Sequence, residues 1–155
     1  MRYKHWASIG AAIILGLIFV ASGLGKLLSQ AESFKTIFNP FPDFLGPTFT
    51  GAVFSWLPFI ELIVGLLLII GVSAKLMAVF SLALTVGFIT NNSWLISREL
   101  GYEPCDCFGI MERIIQVELS TAGALYLDIG MLALVLIILF CHPGKFLTLR
   151  PWFLR

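Results

Sequence analysis

Charged side chains are scarce in this 155-residue sequence. Lys, Arg, Asp and Glu together make up 12% of it, whereas 59% of the residues are hydrophobic and the mean hydropathy is +0.97. A soluble domain is typically about one-quarter charged and about half apolar. The shortage of charge therefore excludes an ordinary soluble domain and predicts a membrane protein. A formal net charge of +1 also gives no reason to expect nucleic acid as a partner, because such a partner calls for a clustered basic face.

Long apolar runs are what the sequence has in abundance. Four of them approach the roughly 20 residues with which a helix crosses a hydrocarbon layer of about 30 Å. A membrane span must satisfy its own backbone hydrogen bonds, so these runs predict helices rather than strands. The predicted fold is an all-α integral membrane four-helix bundle. It forms one domain over residues 1–155, with spans at about 7–28, 52–71, 73–95 and 120–141.

The basic residues predict the orientation of the bundle. Lys and Arg accumulate in cytoplasmic loops, and the purely basic regions here are the two termini and the tight link between the second and third spans. We therefore expect both termini to be cytoplasmic and residues 29–51 and 96–119 to lie outside the cytoplasm. The basic residues on which this depends are Arg2, Lys4, Lys75, Lys145, Arg150 and Arg155.

The first span has a second interpretation, as a cleavable signal peptide. It combines a basic start, an apolar centre and small residues at 21–23, which are the parts of such a peptide. The apolar pattern nevertheless continues through "LGKLL", which is longer than a typical signal core. This favours a retained span without deciding between the two.

Both outer loops carry apolar residues at helical spacing beside polar ones, among them Phe34, Phe38 and Ile114. This pattern predicts short interfacial helices. They either cap the mouth of the bundle or dock a partner.

Cysteine is rare, yet two of the three cysteines stand one residue apart, at Cys105 and Cys107. A metal site within one chain is disfavoured, because structural zinc normally takes four ligands and both histidines fall on the cytoplasmic side by the orientation above. A purely structural disulfide would close a loop over Asp106 alone and gain little stability. The third interpretation is redox exchange, since a ring this small strains the disulfide and strained, exposed disulfides are the labile ones.

Two acidic residues, Glu61 and Asp128, lie inside predicted spans at about the same depth when counted at about 1.5 Å per residue. Intramembrane carboxylates are costly and usually mark a functional site. Lys26 could reach the same level, and Asn91 and Asn92 lie near it on the third span. These five residues predict a polar pocket or proton relay that opens toward the cysteines. The alternative is a structural ion pair with hydrogen bonds between helices.

Three stretches resemble the DoxX-like superfamily, and specifically its methylamine-utilisation MauE branch. They are "SGLGKL" at 22–27, "ELIVGLLLIIG" at 61–71 and "CDCFG" at 105–109, of which the last is the specific one. The resemblance implies a bacterial inner-membrane protein tied to thiol redox chemistry outside the cytoplasm. MauE is linked to maturation of methylamine dehydrogenase, whose small subunit is rich in disulfides, and other relatives are linked to quinone reduction or to oxidative-stress complexes.

The resemblance also assigns residues. By the match Cys105 and Cys107 are the motif cysteines, Phe108 and Gly109 are the tail of the motif, and Glu61 is an acidic position of the second span. The family often has glycine between the cysteines, where this chain has aspartate.

The leading hypothesis is therefore a membrane-embedded thiol:disulfide oxidoreductase or an accessory to one. Cys105 and Cys107 would exchange electrons with an extracytoplasmic partner dithiol, and a quinone is the candidate carrier beyond them. One alternative is a non-catalytic assembly or docking subunit for a secreted enzyme. The other is a small transporter that uses the intramembrane acids.

Overall fold

The computed structural model describes the backbone of residues 2–28, 47–97 and 120–141, and the side chains of 6–28, 55–97 and 120–141. The prediction of an all-α membrane bundle is confirmed. The interfacial helices predicted in the outer loops lie outside the described residues. The four helices in the described part of the chain are α1 (Arg2–Leu28), α2 (Pro47–Ile70), α3 (Ala74–Ser97) and α4 (Thr121–Cys141).

Three of the described helices are long and apolar enough to cross a membrane, over Trp6–Leu28, Ala74–Ser97 and Thr121–Cys141. The chain is thus a multi-pass membrane protein. The second helix has 24 residues, and the part of it whose side chains the structure describes, Ser55–Ile70, is apolar. Its role as a fourth span stays a prediction.

The described bundle has an apolar outer surface and an interior that contains both apolar and polar side chains. Large apolar side chains such as Leu17, Ile63 and Phe140 face outward, as lipid contact requires. The interior combines an apolar core with several fully or almost fully buried polar residues, which are Ser8, Ser22, Glu61, Ser73, Ser81, Thr85, Asn91, Asn92, Thr121 and Asp128. Polar residues in membranes usually face the interior of a bundle. This distribution therefore shows which face of each described helix contacts lipid and which faces the interior.

A tight turn joins α2 to α3. Gly71 has a φ of 78°, a left-handed conformation that glycine adopts without steric cost. The N–H of Val72 donates to the carbonyl of Leu67 at 3.2 Å, and that of Gly71 donates to the carbonyl of Leu68 at 3.2 Å. These two bonds are the Schellman pattern that ends a helix. The turn therefore reverses the chain within three residues.

The helices pack as two close pairs, α1 against α2 and α3 against α4, and α1 also packs against α4. Between α1 and α2 the backbones nearly touch. A β-carbon on Gly16 would lie 2.7 Å from the carbonyl oxygen of Gly65, and one on Gly65 would lie 2.8 Å from that of Gly16. Small residues that allow such an approach are typical of membrane helix interfaces. Leu15, Leu68 and Val135 belong to the apolar part of the core and have no exposed surface.

Candidate functional site

A buried ion pair joins α1 to α2. The Lys26 Nζ lies 2.6 Å from the Glu61 Oε1, and the Glu61 side chain has no exposed surface. Ser22, one turn before Lys26, donates a hydrogen bond to the other carboxylate oxygen of Glu61 at 3.0 Å. Both oxygens of this carboxylate therefore have a donor, which is the condition for keeping a charge inside a membrane.

The backbone of α1 sets the position of these donors. A β-carbon on Gly23 would lie 2.8 Å from the carbonyl oxygen of Pro58 and 3.4 Å from the β-carbon of Glu61. Gly23 thus lies directly against the turn of α2 that carries Glu61. Because α2 runs without interruption through Pro58, the proline leaves the helix intact while its carbonyl forms part of this contact.

A second polar contact joins α3 to α4. The Asn92 Nδ2 donates to the Asp128 Oδ2 at 2.7 Å, and both side chains are at least 95% buried. Position 92 is one turn and a half before the end of α3, and position 128 is two turns from the start of α4. The contact consequently lies near the end of the bundle at which the segment 98–119 connects these two helices.

Lys26 links the two polar contacts. Its ammonium lies 4.9 Å from the centroid of the Phe88 ring on α3, a distance at which a cation is attracted to an aromatic face. Asp128 also interacts electrostatically with Lys26 and with Glu61. Side chains from all four described helices therefore converge on one cluster. We call it the central polar cluster and define it as Ser22, Lys26, Glu61, Phe88, Asn92 and Asp128.

Three further buried oxygens have no hydrogen-bonding partner within the described part of the chain. They are the hydroxyls of Ser81 and Thr85 and the Oδ1 of Asn91. Ser81 and Thr85 are fully buried, and Asn91 is 5% exposed. Such atoms usually mark a place that water or a ligand can occupy.

The structure brings together most of the residues predicted for the polar pocket. Lys26 contacts Glu61, a pairing that the sequence left open, and Asn92 contacts Asp128. Asn91 is buried beside them without a described partner for its Oδ1. The predicted catalytic cysteines Cys105 and Cys107 and the motif tail Phe108 and Gly109 lie outside the described residues. Their predicted roles stay predictions.

Sequence reasoning missed four contributors to the site. Gly16 and Gly65 begin two similar stretches, "GLIFVASGLGKL" and "GLLLIIGVSAKL", and the structure shows that these two glycines contact each other. Gly23 was a third omission. The available signal was the interval of seven residues between Gly16 and Gly23, which places both on one face of α1, and small residues at an interface favour close helix packing. The contact of Phe88 with Lys26 had no comparable signal in the sequence.

No group of three or more His, Cys, Asp or Glu side chains that could hold a metal ion occurs in the part of the chain that the structure describes. What the described cluster can do is hold charge and donate or accept protons.

Comparison with models of known protein families gives a match over most of the chain. The family model described as methylamine utilisation protein MauE matches residues 4–141. No curated protein and no solved structure matches the chain.

Proposed function

The chain belongs to the MauE family, and from this premise we propose that it is a membrane-embedded thiol:disulfide redox protein. Cys105 and Cys107 form its extracytoplasmic redox pair. The membership of the DoxX-like superfamily, the bacterial inner membrane and the cytoplasmic location of both termini are parts of this proposal. The retained first span is another part, supported by the contacts of Ser22 and Lys26 with Glu61.

One observation carries the proposal. The segment 98–119, which contains both cysteines, joins the two helices that hold the Asn92–Asp128 hydrogen bond. That bond lies about 8 to 10 Å from the helix ends that the segment connects, at about 1.5 Å per residue. A buried acid close to a dithiol is chemically useful, because the oxidation of a dithiol releases protons along with electrons.

The proposed exchange proceeds in two steps. A thiolate of the partner attacks one sulfur of the Cys105–Cys107 disulfide, forms a mixed disulfide and releases the other cysteine as a thiolate. The second thiol of the partner then attacks the mixed disulfide, so that the partner is oxidised to a disulfide and Cys105 and Cys107 are reduced. Reoxidation passes two electrons and two protons to an acceptor, for which we propose a membrane quinone. The central polar cluster relays these protons from the thiols to the acceptor.

The partner we propose is an extracytoplasmic protein that acquires disulfides. The printed description of the family concerns methylamine utilisation, and we propose that the client acts in that process.

Trapping of the mixed disulfide tests the proposal. In the full-length protein expressed in intact cells, Cys105→Ala or Cys107→Ala leaves one sulfur that cannot be resolved by its neighbour. We expect each variant to hold a partner in a covalent complex that a reductant releases and mass spectrometry identifies. Cys141→Ala is the matched control, since Cys141 lies at the opposite end of α4 and should trap nothing.

The opposite result supports a docking subunit. If neither single variant traps a partner and the double variant Cys105→Ser/Cys107→Ser retains full function in the cell, the redox proposal is wrong. If uptake of a solute survives the double variant and is lost in Glu61→Gln, the transporter alternative gains support.

A further inference from the structure

Helix α3 presents an interior stripe of polar side chains. Ser81, Thr85 and Asn92 are spaced by four and seven residues, so they lie on one face of the helix. All three are at least 97% buried. Together they span about 16 Å along the helix axis at about 1.5 Å per residue. The stripe therefore extends from Asp128, which Asn92 contacts, toward the end of the bundle that holds the α2–α3 turn.

The hydroxyls of this stripe differ from another hydroxyl on the same helix. Thr90 is exposed, and its Oγ1 donates to the carbonyl of Val86 at 2.8 Å, which is how threonine usually satisfies itself in a helix. Ser81 and Thr85 are fully buried, and their hydroxyls have no partner among the described residues. A buried polar group without a hydrogen-bonding partner destabilises the folded protein. In native proteins such groups are typically satisfied by internal water.

The charges of the cluster are unevenly distributed. The described interior contains two acids, Glu61 and Asp128, and one cation, Lys26, which contacts Glu61 directly. Asp128 receives a hydrogen bond from the neutral amide of Asn92. The charged groups that act on it from the neighbouring helices are Lys26 of α1 and Glu61 of α2. A second carboxylate in this interior leaves one negative charge unbalanced, and uptake of a proton removes it.

We propose that Asp128 is the proton-carrying acid of the central polar cluster and that Ser81 and Thr85 hold internal water through which its proton moves. Glu61 is the fixed counter-ion of Lys26. The ligand class of the stripe is therefore water and the hydrated proton. The step is a proton transfer between the Asp128 carboxylic acid and a water oxygen, and it changes no oxidation state. This assignment deepens the proposed proton relay and rests on it for its biological role.

Hydroxyl-radical footprinting of the full-length protein in lipid nanodiscs tests the water. Met77 precedes Ser81 by one turn and Phe88 follows Thr85 by one turn, and both pack against the core, so radicals formed from water at the stripe should label them. Phe80, which faces outward, reports the background in lipid. We expect labelling of Met77 and Phe88 above that background, and its loss in Ser81→Ala/Thr85→Val. Thr90→Val is the matched control and should leave the labelling unchanged.

Infrared spectroscopy of the same samples tests the acid. We expect a protonated-carboxyl C=O band at neutral pH that Asp128→Asn abolishes. Asn92→Leu should shift this band rather than remove it, because it deletes the hydrogen bond that the acid accepts. A band that persists in Asp128→Asn, or the absence of any such band, overturns the assignment of the proton.

The stability of Ser81→Ala/Thr85→Val gives a second measure of the water. If the hydroxyls hold water, the variant should unfold at the same or a lower denaturant concentration than the wild type. A stabilised variant with unchanged labelling overturns the inference, because removal of truly unsatisfied hydroxyls relieves a cost. The footprinting and the infrared measurement are repeated in Cys105→Ser/Cys107→Ser. The same hydration and C=O band are expected there, so failure of the redox proposal and failure of this inference are separate results.

Discussion

The two close helix pairs hold their buried acids in different ways. Between α1 and α2, glycines bring the backbones together and Glu61 receives both an ammonium and a hydroxyl. Between α3 and α4, Asp128 receives the neutral amide of Asn92. An acid that contacts a cation is costly to neutralise, whereas an acid bound by an amide keeps its hydrogen bond whether or not it carries a proton. The difference indicates a division of labour, in which one acid contributes to assembly and the other is free to change its charge.

Removal of the cation should have the largest effect. Lys26→Met leaves Glu61 buried without its counter-ion, which we expect to cost about 3 to 5 kcal/mol. The measurement is the free energy of unfolding in mixed micelles. Lys26→Met/Glu61→Gln removes both charges, so it should lose less stability than the sum of the two single variants. A double variant whose loss equals that sum would show that the two residues do not interact.

Separation of α1 from α2 should have the next largest effect. Gly23→Ala places a β-carbon against the backbone of Pro58, and such overpacking costs about 1 to 3 kcal/mol. Gly16→Ala meets Gly65 in the same way. Gly10→Ala on the same helix is the control, because nothing lies within 4 Å of its β-carbon. If all three variants have the same thermal stability, the close backbone contact does not exist in the membrane.

Loss of the supporting hydroxyl should be milder. In Ser22→Ala the Glu61 carboxylate keeps Lys26 and loses one donor, and a hydrogen bond to a charged group contributes about 1.5 to 3 kcal/mol. We expect the lower end of this range, because the ammonium can move toward the freed oxygen. Thr90→Val deletes an exposed hydroxyl that bonds only to its own helix, and its unfolding free energy should match the wild type. Equal losses in the two variants would contradict this account.

Replacement of Asp128 by asparagine should have the smallest effect on stability. Asp128→Asn retains an oxygen that accepts from Asn92, so we expect a loss of less than about 1 kcal/mol. Glu61→Gln, the same change in the other pair, leaves Lys26 as an unpaired buried charge and should lose several times more. The comparison of these two unfolding free energies in the same micelles is the sharpest test of the division of labour. A larger loss in Asp128→Asn would reverse the roles.

The sequence predicted the helices well because their boundaries depend on local properties. The apolar runs placed all four helices to within about five residues of those observed. The depths of Glu61 and Asp128 followed from counting along the helices. Whether Lys26 pairs with Glu61 could not be counted in this way, because that pairing depends on how far α1 slides along α2. The tertiary contacts of Gly23 with Pro58 and of Gly16 with Gly65 set this register.

The glycines also determine which of the two acids the lysine neutralises. Lys26 lies three positions after Gly23, so the point at which α1 packs on α2 fixes the direction of the ammonium. One residue inserted between them would turn Lys26 by about 100° around α1, away from Glu61, although the composition of the chain would barely change. In this protein the length of the Lys26 side chain and the position of Gly23 one turn earlier together determine where the ammonium lies. The charge distribution of the interior depends on that position.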